Sequence, residues 1–298
     1  MLLPRNLNIS LKEYQQSDGI SLADQIVLLK QNKYCQHLNN SINSNLKGND
    51  YVSKVLNNKV KLTIPKDGGA IFCGNKWKSI DTLFYVKQLM ELIKLNDKNY
   101  KIYLGKGDYE IDDDFCRSIP KNVTHIWANN INSRDSRLKY MPLGRDFRSS
   151  QYFNIKPSHI KRTMLYCNFS INTNQIRSRL NKEMANHKFA KIEHMGAFLK
   201  YPISRHENYE RLCQSKFVLC PRGRALDTYR MWDCMYLGAI PIVIKEAVFH
   251  DYLSDMPILF IKNIRELKRL SRSCLQSIYK KMLNTRYNYG KLYLNYWL

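Results

Sequence analysis

The sequence predicts an α/β protein built from two doubly wound, Rossmann-like units facing a cleft, and three observations carry that prediction. Short apolar runs bounded by glycine or polar residues alternate with amphipathic stretches, the pattern of a parallel sheet with covered faces. A polar, turn-rich stretch, "LGRDFRSSQYFNIKPS", interrupts the alternation near residue 150, and the same alternation restarts after it. In the second half, one strand runs into an arginine-rich loop and then a helix, where open parallel sheets hold ligands.

In the first half, "GAIFCG" reads as a buried strand and "SIDTLFYVKQLMELIKLN" as an amphipathic helix begun by Ser79 or Asp81. "YKIYLG", "VTHIWANN" and "LKYMPLG" are the following strands. In the second half, "RTMLYCNFS" is a strand, "NQIRSRLNKEMANH" a helix and "YERLCQ" a short helix leading into the strand "KFVLC". "ALDTYRMWDCMYLG" is a helix with Asp227 as its N-cap and Gly238 as its C-terminal stop. "IPIVI" and "MPILFI" complete the strands, and Pro241 is tolerable near the start of its strand. Residues 1–64 form an N-terminal helical and irregular extension, with "SLADQIVLLKQNKYCQHL" helical. The domains are then 65–150 and 151–298, the second ending in a basic helical tail.

The 298 residues carry 48 Lys and Arg against 25 Asp and Glu, a formal charge of +23. Such an excess points to an anionic partner, and nucleic acid, acidic glycan, anionic lipid and nucleotide all satisfy it. No pair of the eight cysteines has C-x-x-C spacing, and several lie in apolar runs, so they read as reduced core thiols of a cytoplasmic protein. The N-terminus lacks the apolar region of a signal peptide, and the longest apolar stretches are too short to span a bilayer. Contact with an anionic membrane would be peripheral. "DYEIDDDF" contains a D-x-D triplet in Asp112–Asp114. Triplets of this kind are frequent by chance, and the run reads as an exposed acidic turn.

The chemistry concentrates in "SKFVLCPRGRALDTYRMWDCMYLGAIPIVI", residues 215–244. Arg222, Arg224 and Arg230 surround Gly223 and a helix start. A helix N-terminus already carries partial positive charge, so Arg230 in its first turn is unfavourable unless an anion is bound. A diphosphate would accept hydrogen bonds from the guanidinium groups and from free backbone N–H groups. The alternative is a surface pair of Arg230 with Asp227 or Asp233, each three residues away.

This stretch resembles the C-terminal signature of exostosin-like glycosyltransferases through Ser215, Lys216, Phe217, Leu219, Pro221, Gly223, Asp227, Thr228, Arg230, Gly238, Ile240 and Pro241. Where that family usually has Glu, this chain has Asp233. "YLGKGDYEI" to "KYMPLG" and "LYCNFSINTNQIRSRL" are similar to stretches of short viral or bacterial members. The resemblance implies a GT-B arrangement, acceptor domain first and donor domain second, with no obligatory cofactor or metal. It implies a nucleoside-diphosphate sugar as donor, UDP favoured and GDP the alternative, and a glycan or glycoprotein hydroxyl as acceptor. Arg230 would contact the diphosphate, Asp233 the ribose, and Thr173 and Arg177 further phosphate oxygens, with Arg222, Gly223, Arg224, Asp227 and Thr228 completing the nucleotide-sugar site. An inverting transfer needs a general base from the first domain, for which Asp81 and Asp108 are the candidates. Two other readings remain: a basic nucleic-acid-binding protein, although no recognisable binding module is visible, and a catalytically inactive glycan-binding relative.

Overall fold

The computed structural model describes residues 68–73, 79–104, 107–145, 151–152, 154–185, 187–193, 203–293 and 296–297. The helix expected within residues 21–38 lies outside them. The chain divides into two compact units between Leu143 and Gly144.

In the first unit, β1 (Gly69–Cys73), β2 (Tyr100–Leu104), β3 (Val123–Ala128) and β4 (Leu138–Tyr140) form a parallel sheet in chain order. Helix α1 (Ser79–Lys94) joins β1 to β2, and α2 (Asp113–Ser118) joins β2 to β3. The acidic run read as a turn begins α2 instead. Asp112 is its N-cap and accepts the Phe115 N–H at 2.9 Å, while Asp114 pairs with Arg117 one turn later.

The second unit holds five parallel strands, β5 (Thr163–Cys167), β6 (Ala190–Ile192), β7 (Ser215–Leu219), β8 (Ile240–Ile244) and β9 (Leu259–Ile261). Their spatial order is β6-β5-β7-β8-β9. The order therefore reverses between β5 and β7, which opens a crevice beyond their carboxyl ends. Helices α3 (Gln175–Met184), α4 (Arg205–Cys213), α5 (Tyr229–Tyr236), α6 (Ile264–Arg269) and α7 (Arg272–Leu283) cover the sheet. Leu165, Phe217, Leu219, Ile240 and Ile242 of the strands meet Leu180 and Met184 of α3 and Leu275 and Tyr279 of α7 in one core. Among the described residues, no helix is long and apolar enough to cross a membrane.

Pro241 sits in a strand with neighbours on both sides, yet breaks no ladder bond. Ile242 turns its carbonyl to the Cys220 N–H on the β7 side, so Pro241 faces β9. Pairing with β9 starts only at Ile242, opposite Leu259, so the missing N–H falls outside the ladder. Gly238 follows α5 with φ +71°, the left-handed conformation that ends a helix. Helix α4 starts earlier than its apolar residues indicate, because Ser204 and Glu207 form a capping box at 3.1 and 2.9 Å.

His250, in the turn after β8, is buried and accepts the Ala247 N–H on Nδ1 at 3.4 Å. Its ring packs 4.4 Å from Phe249 and 5.3 Å from Phe260, and its buried Nε2 has no hydrogen-bond partner. Burial, aided by Lys245, lowers its pKa to about 4. The unfolded chain, with an ordinary histidine near 6.5, takes up the proton first as pH falls. The stability from neutral His250 is therefore complete above the unfolded value and is lost progressively toward pH 4. About 2 kcal/mol should disappear between pH 7 and pH 5. Carboxylates held below their usual range, such as Asp135 beside Arg137, act in the same direction at lower pH. The measurement is therefore urea unfolding of wild type against His250→Leu, whose profile should be flatter in that window; parallel profiles would refute the assignment.

Candidate active site

Three loops meet the carboxyl ends of the second sheet: residues 168–174 after β5, 220–228 after β7 and 245–247 after β8. The first two flank the reversal point. Asn174 ties them together: its Oδ1 caps α3 by accepting the Ile176 N–H at 2.9 Å, and its Nδ2 donates to the Gly223 carbonyl at 2.9 Å. Arg177, in the first turn of α3, donates from Nε to the Arg222 carbonyl at 2.7 Å and from Nη2 to the Pro221 carbonyl at 2.9 Å. Its Nη1 donates to the Ser170 carbonyl at 3.3 Å, and the Thr173 hydroxyl donates to the same oxygen at 3.3 Å. Arg177 therefore braces the loop through its carbonyls while leaving a positive charge beneath it. A side chain at Gly223 would place its Cβ 3.2 Å from Arg177 Nη2, so glycine is what lets the guanidinium approach the loop this closely.

Helix α5 starts at Tyr229, and its cap is Thr228, whose hydroxyl accepts the Met231 N–H at 3.4 Å. This corrects the expectation of an Asp227 cap. Asp227 is buried and accepts the indole N–H of Trp232 at 2.8 Å, so its carboxylate locks the loop to a fully buried side chain of the helix. Arg222 is half-buried with Nε 4.0 Å from Glu246, and its Nη2 donates to the Arg224 carbonyl at 3.5 Å; the Arg224 side chain is exposed.

Arg230 forms neither of the surface pairs weighed from the sequence. Asp227 holds Trp232, and Asp233 is buried with Arg145, whose Nε lies 3.1 Å from its Oδ1. The buried Nη1 of Arg230 has no hydrogen-bond partner. The guanidinium lies within electrostatic reach of Tyr166, Cys167 and Cys234. Burial drives all three pKa values up, that of Cys167 to about 12, and Arg230 opposes the rise at each. Arg230, the second residue of the helix that follows the braced loop, thus lies within electrostatic reach of the end of β5.

Beyond these, Tyr166, Asn168, Glu193 and Asn208 form a polar cluster that sequence reasoning did not single out. Asn168 Nδ2 donates to Asn208 Oδ1 at 2.8 Å and to the Tyr166 hydroxyl at 3.1 Å, and that hydroxyl donates to Glu193 at 2.9 Å. Burial raises the Glu193 carboxyl, but hydrogen bonds from Lys191 and Tyr166 outweigh it and hold the group below its usual value. Arg145 was also passed over; it lay in the stretch read as a linker.

In the first unit, Asp108 is exposed in the loop after β2. Asp81 is the third residue of α1, and its side chain lies outside the described part.

Comparison with known proteins gives three findings. No curated protein sequence matches the chain. A solved structure described as the crystal structure of alpha1,3-fucosyltransferase resembles it at 16% identity over 85% of each chain, with a TM-score of 0.43, a likeness too slight to carry chemistry. Residues 123–257 match the model of the Exostosin GT47 domain. That span contains β3 to β8, the braced loop and Arg230, so the likeness to the exostosin domain falls on the residues that build this site.

Proposed function

We propose that this glycosyltransferase moves a sugar from a nucleoside-diphosphate donor, UDP favoured over GDP, to a hydroxyl of a glycan or glycoprotein, inverting the anomeric centre and needing no metal. The observation that carries the reading is the buried, unpartnered Nη1 of Arg230, in the first turn of the helix that follows the braced loop. A buried donor without a partner costs about 1–3 kcal/mol, and an anionic ligand removes that cost when it binds. The leaving diphosphate would gain charge as the glycosidic bond breaks. Arg230, with Arg222 and the backbone of the braced loop, supplies fixed positive groups where that charge develops. Arg177 holds the loop in place, and Thr173 lies beside it. The base that takes the acceptor's proton is assigned to the first unit, to Asp108 or Asp81.

The test is a thermal-shift series with UDP, GDP and uridine, with and without chelator. A ligand that binds only the native state stabilises it by RT ln(1 + [L]/Kd), about 2.7 kcal/mol at a hundred times Kd, and so raises the melting temperature. UDP should stabilise the protein undiminished by chelator, and more than uridine does. Stabilisation that appears only with Mn²⁺ would overturn the metal-independent mechanism. No stabilisation by either diphosphate would overturn the donor assignment.

A further inference from the structure

The charge of +23 is not spread evenly along the chain. Residues 262–286 carry eight Lys and Arg against one acid, Glu266, and so hold nearly a third of the net charge in 25 of the 298 residues. They form α6, α7 and the turns beside them, and all eight cations are exposed. Leu267, Leu275, Tyr279 and Met282 face the core, so the cations occupy the outer side of both helices. Among the described residues, Lys268 alone of the eight forms an ion pair, with Glu183 of α3 at 2.5 Å. The hydrogen bond from Lys268, and more weakly the charge of Arg265, hold the Glu183 carboxyl below its usual range. Arg179, exposed one turn before Glu183 on α3, extends the basic surface. Glu266 accepts the Lys262 N–H at 2.7 Å at the start of α6.

We propose that the outer faces of α6 and α7, continued by α3, form a docking surface for an anionic lipid bilayer, a role independent of the donor site. A merely solvated helix face mixes signs and pairs them one turn apart. This one sets eight cations against one acid, and its ion pair reaches to another helix. Helix stability does not account for the pattern either. Lys268, Arg269, Lys280 and Lys281 lie in last turns, where a cation is favoured, but Arg265 and Arg272 lie in first turns, where it is not. No polar side-chain atom of residues 262–286 is buried without a partner, so nothing in the stretch is preorganised for a small anion. Its one aromatic residue, Tyr279, is buried, which leaves no exposed ring for the stacking that single-stranded nucleic acid uses. Exposed cations on the outside of helices match a broad anionic surface, which needs neither cleft nor register. Each Lys or Arg close to such a bilayer strengthens binding about fivefold, an effect that fades within a Debye length. The contact is peripheral, since among the described residues no helix is long and apolar enough to cross a membrane.

The experiment is co-sedimentation of the whole chain with vesicles of phosphatidylcholine alone, or of phosphatidylcholine mixed with phosphatidylserine. Binding should require phosphatidylserine and should disappear at high salt. Arg265→Gln, Arg269→Gln, Lys280→Gln and Lys281→Gln combined should lower the partition coefficient by more than about a hundredfold, at about fivefold for each charge. The comparison removes the same charge from the first unit through Lys87→Gln, Lys101→Gln, Lys121→Gln and Lys139→Gln, all at exposed positions. That variant should bind vesicles within about threefold of wild type, because screening confines the attraction to charges near the surface. Melting curves establish that both variants are folded. If the first melts early, Arg265→Gln with Arg272→Gln still decides: it removes cations that their helices disfavour, and binding should fall about twenty-fivefold. Equal losses in the two quadruple variants would overturn the assignment to this surface and leave net charge alone as the cause. Equal binding to both kinds of vesicle, or to neither, would overturn the bilayer as partner. Retention of a single-stranded oligonucleotide by a chain that binds no vesicle would make the surface a nucleic-acid contact instead.

Discussion

Arg230→Ala should bind UDP roughly ten- to a hundredfold more weakly than wild type, while uridine binding changes little. The range follows from the value of a charge-assisted hydrogen bond, about 1.5–3 kcal/mol, and from its restriction to the phosphates, which uridine lacks. Arg230 is the second residue of α5, in the turn where the helix dipole already disfavours a cation, and its buried Nη1 has no partner. Both features cost stability in the ligand-free protein. Removing the side chain should therefore leave the apo melting temperature unchanged or slightly higher, in contrast to the loss that follows deletion of a structural ion pair. Titration calorimetry with the two ligands and an apo melting curve give the three quantities. Undiminished UDP affinity together with a marked fall in apo stability would make Arg230 a structural residue and remove the basis for the donor site.

The contrast between Arg230 and its acidic neighbours shows what a sequence conveys about such a site. The strands were legible because a buried parallel strand is an uninterrupted apolar run, as in "KFVLC" and "IPIVI", and that pattern needs no knowledge of the partner strand. β6 was not, since three residues with Lys191 at the centre, at the edge of the sheet, carry no apolar run. The start of α4 was written locally in Ser204 and Glu207, a spacing that identifies a capping box without tertiary information, and it is a signal a closer reading would have used. The start of α5 differs in kind. Asp227 is a good cap by residue type, but the indole of Trp232 claims its carboxylate and leaves the cap to Thr228. Asp233 and Arg177 find their partners 88 and 45 residues away. Such partners exist only once the sheet has formed, so the local pattern pointed to the right loop and helix while leaving open which charges stay available. The sequence showed three arginines around a glycine; the fold distinguishes Arg230, with a buried Nη1 that makes no hydrogen bond, Arg222, half-buried with an Nε that makes none either and lies 4.0 Å from Glu246, and Arg224, exposed.

The largest effect should come from the first unit. Asp108→Asn is expected to lower the rate of sugar transfer by about 10²- to 10⁴-fold, the usual contribution of a general base, while UDP affinity stays within about twofold of wild type. The loop bearing Asp108 follows a parallel strand at its carboxyl end, where ligands of such sheets bind. The backbone next to Asp108 is held: Asn130, just past β3, donates from Nδ2 to the Gly107 carbonyl. An exposed carboxylate on a held backbone can accept a proton from an acceptor hydroxyl without first paying for ordering of its loop. Asparagine keeps the shape and removes the basicity, so folding and donor binding should survive. Asp81→Asn is the parallel test, since α1 brings Asp81 in just after β1, the adjacent strand. Transfer and donor hydrolysis should be measured together, because a lost base slows attack by the acceptor hydroxyl while the donor site remains intact. A fall in one variant alone assigns the base to that residue. Near-normal transfer in both would exclude them and move the base elsewhere. The absence of any transfer by wild type, with UDP still bound, would mark a relative that has kept its donor site and lost its reaction.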